Sequence, residues 1–278
     1  MNRLPIEKRV KILGMLTEGM SMRAASRQAD VSINTVTKLL VDVGTACEMY
    51  QLETLVNLPC KLIQCDEIWC FVGAKESNVP PNRRGEFGRG DVYTWVAIDP
   101  ESKLVASWLV GRRNIEHAQI FMNDLAGRLA NRVQLTTDGH KAYLEAVDNA
   151  FGGEIDYAML KKLYGGQGSG KSNEERRYSP GNCIGAVKGT VSGDPDHTHV
   201  STSHVERQNL TMRMHMRRFT RLTNGFSKKV ENHAHAVALH YMFYNFAKIH
   251  KTLRVTPAMQ AGIADHIWSL EEIAKLAD

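Results

Sequence analysis

Several features of secreted and membrane proteins are missing from the sequence. Its five cysteines are odd in number and form no Cys-x-x-Cys pair, which argues against a disulfide framework and against a zinc ribbon. It has no run of about 18 apolar residues, the length that a membrane-spanning helix needs. The N-terminal residues lack the apolar core and the small-residue cleavage site of a signal peptide. We therefore expect a cytoplasmic protein whose cysteines are reduced.

A strong excess of one charge is also missing. The 278 residues carry 35 Lys and Arg against 30 Asp and Glu, a net charge of +5 that by itself defines no partner. The charge is unevenly placed, however. Residues 1–42 have a net charge of +3 and residues 201–229 a net charge of +6, so the rest of the chain is acidic. Two separate basic regions favour a nucleic acid as partner.

The first basic region shows the pattern of three short helices. Pro5 can open the first helix, Ser21 can cap the second, and Ser32 can cap a third that is predicted to end near Gly44. Two short helices across a tight turn form the helix-turn-helix pattern. We predict an all-α helix-turn-helix DNA-binding domain over residues 1–48. A small helical bundle used for packing or dimerisation is the alternative.

The outward-facing side chains of the second and third helices are the candidate DNA contacts. The spacing of Ile33, Val36 and Leu40 predicts that they face inward, which leaves their polar neighbours to reach base edges and phosphates in the major groove. The predicted contacts of this domain are Arg23, Arg27, Ser32, Asn34, Thr35 and Lys38.

The remainder of the chain predicts a mixed α/β domain over residues 49–262, followed by a helical tail over residues 263–278. Strands joined by short turns predict an antiparallel meander. A helix, a fourth strand and a further helix follow. Order weakens over residues 151–200, which we interpret as an insertion, and helices resume at 203–218. In chain order the predicted strands are 61–72, 92–98, 104–110 and 133–137.

A glycine-rich tract within the predicted insertion invites comparison with a phosphate-binding loop. Residues 165–172 match the pattern G-x-x-x-x-G-K-[ST] literally. Such a loop needs a buried strand before it and a long helix after it. Residues 159–164 make a poor buried strand, and residues 172–180 make a poor helix. The tract is therefore interpreted as a linker, with a nucleotide site as the alternative.

Three carboxylates are the candidates for chemistry. Asp66 lies within an apolar strand, where a charge is costly to bury unless it is paired or binds a metal. Asp138 directly follows a strand, and Glu206 lies at the start of the second basic region. Carboxylates are the hard oxygen ligands that Mg²⁺ prefers, and phosphodiester cleavage commonly uses two such ions. The three residues are the predicted catalytic and metal-binding groups.

Each carboxylate also has a structural interpretation. Asp66 would point outward if Glu67 were the inward residue of the strand. Asp138 followed by glycine is also a good turn. Glu206 would complete a capping box with Ser203. The ordered set of three, with a basic helix attached, favours the catalytic interpretation.

Helical spacing extends the predicted site. Seven residues come within roughly 20° of two full helical turns, so Arg213 should share the face of Glu206, with Arg217 and Asn209 alongside. Arginines beside a metal-binding carboxylate suit a nucleic-acid backbone. Asn209, Arg213, Arg217 and Arg218 are therefore predicted DNA contacts.

These motifs resemble a known family. Cys-Asp66-Glu, Thr-Thr-Asp138-Gly-His and His-Val-Glu206-Arg-Gln-Asn-Leu-Thr-Met-Arg213 are similar to the motifs of insertion-sequence transposases of the DDE class, nearest to the insertion-sequence-one type. The stretch from Tyr244 to Pro257 resembles the ending that many such enzymes share. The resemblance implies a ribonuclease-H-like mixed sheet with flanking helices. Arg213 would be the basic residue seven positions after the glutamate.

The resemblance also implies a function. It implies two Mg²⁺ ions on the three carboxylates, for which Mn²⁺ can substitute, and a bacterial, nucleoid-associated protein. The partners would be double-stranded DNA, as element ends and as target, and further copies of the chain in a dimer or higher oligomer. The chain departs from the family in lacking an N-terminal zinc ribbon. The alternatives are a nuclease or resolvase on the same fold, or a helix-turn-helix regulator without catalysis.

Overall fold

The computed structural model describes residues 4–164, 183–220 and 223–278. Its first three helices are α1 (Ile6–Thr17), α2 (Met22–Ala29) and α3 (Ile33–Thr54). The hydroxyls of Ser21 and Ser32 accept hydrogen bonds from the first turns of α2 and α3, which confirms both as N-caps. The three helices are arranged as the helix-turn-helix pattern predicts.

The third helix is longer than predicted. It runs ten residues past Gly44 to Thr54, so the expected stop at Gly44 is wrong and residue 48 lies inside a continuous helix. The glycine is where α3 crosses helix α7 (Val230–Met242). A Cβ atom at Gly44 would lie 2.6 Å from both the Cβ and the carbonyl oxygen of His235. Close approach of two helices, rather than termination of one, accounts for this glycine.

Replacing Gly44 by alanine should therefore destabilise the protein. The methyl group would overlap the α7 backbone, and relief of such overpacking typically costs about 1–3 kcal/mol, more than the gain of about 1 kcal/mol in helix propensity. Gly127 supplies the matched control, because its added Cβ would meet nothing within 4 Å. Urea unfolding should show Gly44→Ala less stable than wild type and Gly127→Ala at least as stable. Equal effects would contradict the crossing argument.

The core of the α/β part is a six-stranded mixed sheet with strand order β3-β2-β1-β4-β5-β6. The first three strands form the predicted antiparallel meander, β4 and β5 run parallel to β1, and β6 is antiparallel to β5. This arrangement is ribonuclease-H-like, as expected. The strands are β1 (Leu62–Val72), β2 (Gly90–Ile98), β3 (Val105–Gly111), β4 (Val133–Thr137), β5 (Ile155–Tyr164) and β6 (Cys183–Ser192).

Helices cover both faces of this sheet. Helices α4 (Ile115–Arg128) and α5 (Ala142–Phe151) pack on one face, where Trp95 is fully buried. Helix α6 (Ser203–His215) and α7 pack on the other, around Val96 and Tyr241. A strand covered on both faces must bury both sets of alternating side chains, which explains why β2 and β4 are almost entirely apolar or uncharged.

Residues 155–164 and 183–192, within the stretch where order is expected to weaken, form strands. β5 pairs with β4, and β6 continues the sheet, so residues 159–164 do form a strand, although only Met159 and Leu160 of them are buried. The pattern was misleading because only the first part of β5, through Leu160, is buried, while the lysines that follow lie toward the surface. The loop-like tract at 165–172 lies outside the described residues.

The C-terminal segment packs against the first helix. Helix α8 (Pro257–Gln260) precedes α9 (Leu270–Lys275), which begins with a capping box between Ser269 and Glu272. The Arg9 guanidinium donates to the Ala274 carbonyl oxygen at 3.1 Å. The same side chain pairs with Asp278 at 2.6 Å. The tail thus ties α1 into the body of the protein. Within the described ranges, no helix combines the length and the apolarity needed to cross a membrane.

Candidate active site

The parallel pairing of β1 and β4 brings two of the predicted carboxylates together. Cys65 lies opposite Thr137 in the register of the two strands. Asp66 and Asp138 are the next residues on each chain, so they lie side by side where β4 ends. The backbone N–H of His140 donates to Asp138 Oδ1 at 2.8 Å, so the aspartate also closes the turn that its glycine neighbour predicts.

Helix α6 supplies the third carboxylate and is fixed to β1 by two side-chain contacts. Gln64 Oε1 accepts hydrogen bonds from the backbone N–H groups of His204 at 2.9 Å and Val205 at 3.3 Å. Asn209 Nδ2 donates to Asp66 Oδ2 at 2.9 Å. Because Gln64 and Asp66 alternate onto the same strand face, both meet the first two turns of α6. Glu206 is thereby held over the same opening.

All three predicted catalytic residues line one cavity of about 780 Å³. Asp66, Asp138 and Glu206 share its wall with Arg113 and Lys162. The carboxylates therefore come from β1, from the end of β4 and from α6, three rigid elements far apart in the sequence. Such a constellation on a strand edge and a helix is well suited to hold reacting groups in a fixed geometry.

Both acidic residues of β1 are covered by neighbouring elements. Burial, followed by the charges of Glu67 and Asp138, raises the pKa of Asp66 to about 7. Burial is also the main cause that raises the pKa of Glu67, whose side chain is on the opposite strand face, toward Trp95. Asp66 therefore does not simply point outward, although Glu67, whose side chain is 1% exposed, is the more buried of the two as that alternative expected. A carboxylate kept in this environment needs a cation nearby to remain ionised at neutral pH.

The donor set fits a hard divalent cation. Carboxylate oxygens of Asp66, Glu67 and Asp138 lie within 4.8 Å of one another, which is close enough to share one ion. Glu206 does not belong to that group, because its carboxylate is turned toward Lys162. Two members of the predicted triad, Asp66 and Asp138, thus lie close enough to share an ion with Glu67. The third member, Glu206, lines the same cavity but is turned away from them.

Two basic side chains of the protein itself form ion pairs with the carboxylates of the cavity. The Lys162 ammonium donates to both oxygens of Glu206, to which the Thr202 hydroxyl also donates at 2.6 Å. The Arg113 guanidinium lies 2.9 Å from Glu67 and 3.4 Å from Asp138. The predicted capping box with Ser203 is absent among the described residues, since the helix begins at Ser203 itself and Thr202 takes the contact with the glutamate.

Neutralising Lys162 should tighten divalent metal binding. Removing the ammonium frees Glu206 to turn toward the other carboxylates, so Lys162→Met should bind Mn²⁺ about 3–10-fold more tightly than wild type. Lys161→Met is the matched control, because Lys161 lines the same cavity and the substitution removes the same charge. Calorimetric titration with Mn²⁺ measures both. If the two variants gained affinity equally, the general positive field rather than the contact with Glu206 would be responsible.

The basic residues that follow Glu206 are placed differently from one another. Asn209 is buried and bound to Asp66, and Arg213 lies half-buried on α6. The helix ends at His215 because Met216 is extended, with φ −127° and ψ 110°, so the predicted continuation to Arg218 is wrong. Arg217 is consequently beyond the helix and exposed. The prediction that Arg217 shares a helix face with Glu206 therefore does not hold.

Arg218 points into the protein. Its guanidinium donates to the Asn232 carbonyl oxygen at 2.6 Å and to Met22 Sδ at 3.1 Å, so it connects α2 with α7. In this position it does not face open solvent as a backbone-binding arginine would. The guanidinium lies instead in the contact between the helix-turn-helix and the body of the protein.

The predicted contacts of the helix-turn-helix lie on its surface. Thr35 is half-buried and shares a hydrogen bond of 2.9 Å with Ser32, and Lys38 pairs with Asp42 at 2.6 Å. Ile33, predicted to face inward, is 39% exposed, because it is in the first turn of α3 where α2 does not cover it. The exposed predicted contacts are Arg23, Arg27, Ser32, Asn34 and Lys38.

Sequence reasoning missed Gln64, Arg113 and Lys162. Of these three residues, only Gln64 could have been found from the local sequence pattern. A residue two positions before Asp66 lies on the same face of the strand. Arg113 lies in the turn before α4, and Lys162 lies in a stretch where a strand was not expected. Their roles depend on partners 46 and 44 residues away in the chain.

Comparison with known proteins gives a family match over the middle of the chain. Residues 87–164, from the loop before β2 to the end of β5, match the "DDE domain" family model of IS240-type transposases. The match includes Asp138 and stops short of Asp66 and Glu206. No curated protein matches the chain. The likeness to a DDE domain therefore covers the middle of the sheet, from β2 to β5, and one of the three carboxylates of the cavity.

Solved transposase structures show a partial likeness. The "Mos1 transposase paired-end complex with left transposon end" is 15% identical with a TM-score of 0.25, and the alignment covers 56% of this chain and 60% of that one. The "Mos1 Strand Transfer Complex" gives the same identity and TM-score, with 59% of its chain covered. The chain thus spans about three fifths of the length of these structures. The fold assignment rests on the strand order given above.

Proposed function

We propose that the protein is a DNA transposase of the insertion-sequence-one type. It binds the inverted-repeat ends of a mobile element, cleaves DNA strands and transfers them into target DNA with Mg²⁺ as cofactor. The observation that carries the proposal is the single cavity in which Asp66, Asp138 and Glu206 meet from β1, β4 and α6. The type within the class rests on the motifs around these residues and on the stretch from Tyr244 to Pro257.

The metal site is assigned to the three carboxylates. Asp66 and Asp138 would hold a divalent cation, and Glu206, which now accepts from Lys162, would supply a further carboxylate ligand. When bound, the ions polarise the scissile phosphate and lower the pKa of the attacking water or 3′-hydroxyl. The protein's own groups position these ligands: Asn209 orients Asp66, and the Thr202 hydroxyl orients Glu206.

DNA is proposed to lie along both basic regions. The first turns of α3 present Ser32, Asn34 and Lys38 to base edges, and Arg23 and Arg27 of α2 reach the adjoining phosphates. Arg213 and Arg217 hold the backbone near the carboxylates. Two element ends must be brought together for joining, so we propose a homodimer or a higher oligomer. The proposed location is the bacterial cytoplasm, on the nucleoid.

The test is strand transfer with purified protein and a duplex of the repeat sequence that flanks the gene. The proposal predicts cleavage and joining with Mg²⁺ or Mn²⁺ and neither with EDTA. Cleavage without joining would identify a nuclease or resolvase instead. Binding to the repeats without any cleavage would identify a regulator that keeps the fold and has lost the reaction.

A further inference from the structure

A second cavity, of about 880 Å³, separates the helix-turn-helix from the body of the protein. Its wall is formed by the end of α1, the starts of α2 and α3, the segment after α6, and α7. Most of the lining is apolar, with Leu16, Met20, Met216 and Phe226 among the contributors. The cavity does not include any of the three carboxylates of the active site, so it is a different site.

The charges around this cavity all have one sign. Arg23, Arg217, Arg218 and Lys228 line it, and the described residues of its wall include no aspartate or glutamate. Arg23, Arg217 and Lys228 are exposed and form the rim. Like charges gathered around an apolar opening repel one another, and an anion at the rim would relieve this repulsion.

Two polar side chains of the wall are incompletely paired, the half-buried Arg218 and the buried His240. The Arg218 guanidinium contacts a carbonyl oxygen and a thioether, and no carboxylate of the described residues forms an ion pair with it. Burial lowers the pKa of Arg218 to about 10. His240 is 4% exposed, and neither of its ring nitrogens has a hydrogen-bond partner among the described residues. A charge without a counter-ion and a buried imidazole without hydrogen-bond partners are features of a ligand site.

We propose that this cavity binds a nucleotide, with the phosphate at the rim of Arg23, Arg217 and Lys228 and the base in the apolar interior. A nucleotide has an anionic group that suits the basic rim. It also has a flat heteroaromatic base, with hydrogen-bonding edges, that suits the apolar interior. His240 and Arg218 meet the edge of the base, and Phe226 and the methionines meet its faces. The ligand is either a nucleotide extruded from bound DNA or a free mononucleotide.

The position of the cavity favours DNA as the source. Ile33 and Thr37 of α3 line it on one side, and His215 to Arg218, directly after the helix of Glu206, line it on another. A duplex held by α3 and by the basic segment after α6 would pass over the opening. This part of the inference rests on the proposed function, whereas binding of a free nucleotide does not.

The first arm of the experiment uses DNA. 2-Aminopurine is placed at successive positions of the repeat duplex, and its fluorescence is measured with the full-length protein. Extrusion into the cavity should raise the signal about threefold or more at one position, because the base leaves the stack. The rise should be lost in Lys228→Ala and kept in Lys229→Ala, the neighbouring exposed lysine that does not line the cavity.

The second arm uses dAMP and inorganic phosphate in calorimetric titrations. Wild type should bind dAMP at least about fivefold more tightly than phosphate, and Lys228→Ala should weaken dAMP binding by a similar factor while Lys229→Ala leaves it unchanged. His240→Phe retains the ring volume and should weaken dAMP binding but not phosphate binding. Its thermal melting should stay at or above that of wild type, since a buried unpaired imidazole is removed.

The outcomes separate the two sources and the two proposals. A fluorescence rise without dAMP binding identifies a nucleotide of DNA, and dAMP binding without a rise identifies a free nucleotide. No rise together with no dAMP binding overturns the inference, as does phosphate binding as tightly as dAMP. If dAMP binds but strand transfer fails, the proposed function falls and the cavity assignment stands. If strand transfer succeeds but neither the fluorescence nor the dAMP titration responds, the proposed function stands and the cavity assignment falls.

Discussion

Asp138→Asn and Glu206→Gln should each lower strand cleavage and strand transfer at least about a thousand-fold, a loss of about 4 kcal/mol of transition-state stabilisation. Each substitution replaces a carboxylate oxygen that faces the cavity by an amide, which binds a divalent cation far more weakly. The two residues approach from opposite sides, one from the end of β4 and one from α6. Neither carboxylate is therefore able to take over the coordination of the other.

The matched control is Glu231→Gln, the same change of charge on an exposed residue at the start of α7. It should retain the activity of wild type within about twofold, since exposed charges far from the cavity contribute little. Gel-shift titration of the repeat duplex should give wild-type affinity for all three variants. Unchanged cleavage in Asp138→Asn would refute the assignment of the triad, whereas loss of DNA binding would show that the substitution disturbed the fold.

Asp66→Asn should stabilise the metal-free protein, and by more as the pH rises. The pKa of Asp66 is raised to about 7 from an ordinary value of 3.8. Below the ordinary value the carboxyl is protonated in both the folded and the unfolded state, so it contributes no pH dependence. Between the two values the unfolded state releases a proton that the folded state keeps, so wild type loses about 1.4 kcal/mol per pH unit. Above about pH 7 the loss is complete and amounts to a few kcal/mol.

Urea unfolding of both proteins in EDTA, at about pH 5 and about pH 8, measures this effect. The stability difference between Asp66→Asn and wild type should be several times larger at the higher pH. His233 and His240, whose pKa values burial lowers to about 3, titrate alike in both proteins and cancel in the difference. Saturating Mg²⁺ should restore stability to wild type and leave the variant unchanged. A difference that does not vary with pH would contradict the raised pKa.

The three carboxylates are predicted as an ordered set, because each of them taken singly also has a structural interpretation. Asp66 interrupts an apolar strand, Asp138 ends a strand before a glycine, and Glu206 begins a basic helix. The predicted bounds of β4, residues 133–137, are confirmed. All five residues of this strand are buried, so its pattern in the sequence is clear. Strand and helix periodicity is a property of the chain itself, and it predicts that Asp66 lies within a strand, Asp138 after a strand and Glu206 at the start of a helix.

The features that sequence reasoning missed depend on distant neighbours. Gly44 has the appearance of a helix stop, and only His235 of α7 shows that it is a crossing point. The two lysines of β5 make this strand difficult to recognise in the sequence. They are there because the second half of the strand extends beyond the covered part of the sheet. Arg218 was read as a phosphate contact from its position near other arginines. Its inward direction follows from the extended Met216, which no periodicity indicates.

The unbroken course of α3 fixes a distance. Its 22 residues span about 33 Å, close to one turn of B-form DNA. The reading end of the helix begins at Ser32, and its other end is clamped among α7, the tail and the sheet. In a protein that works as proposed, one continuous helix rather than a flexible linker therefore joins the DNA-reading end to the body.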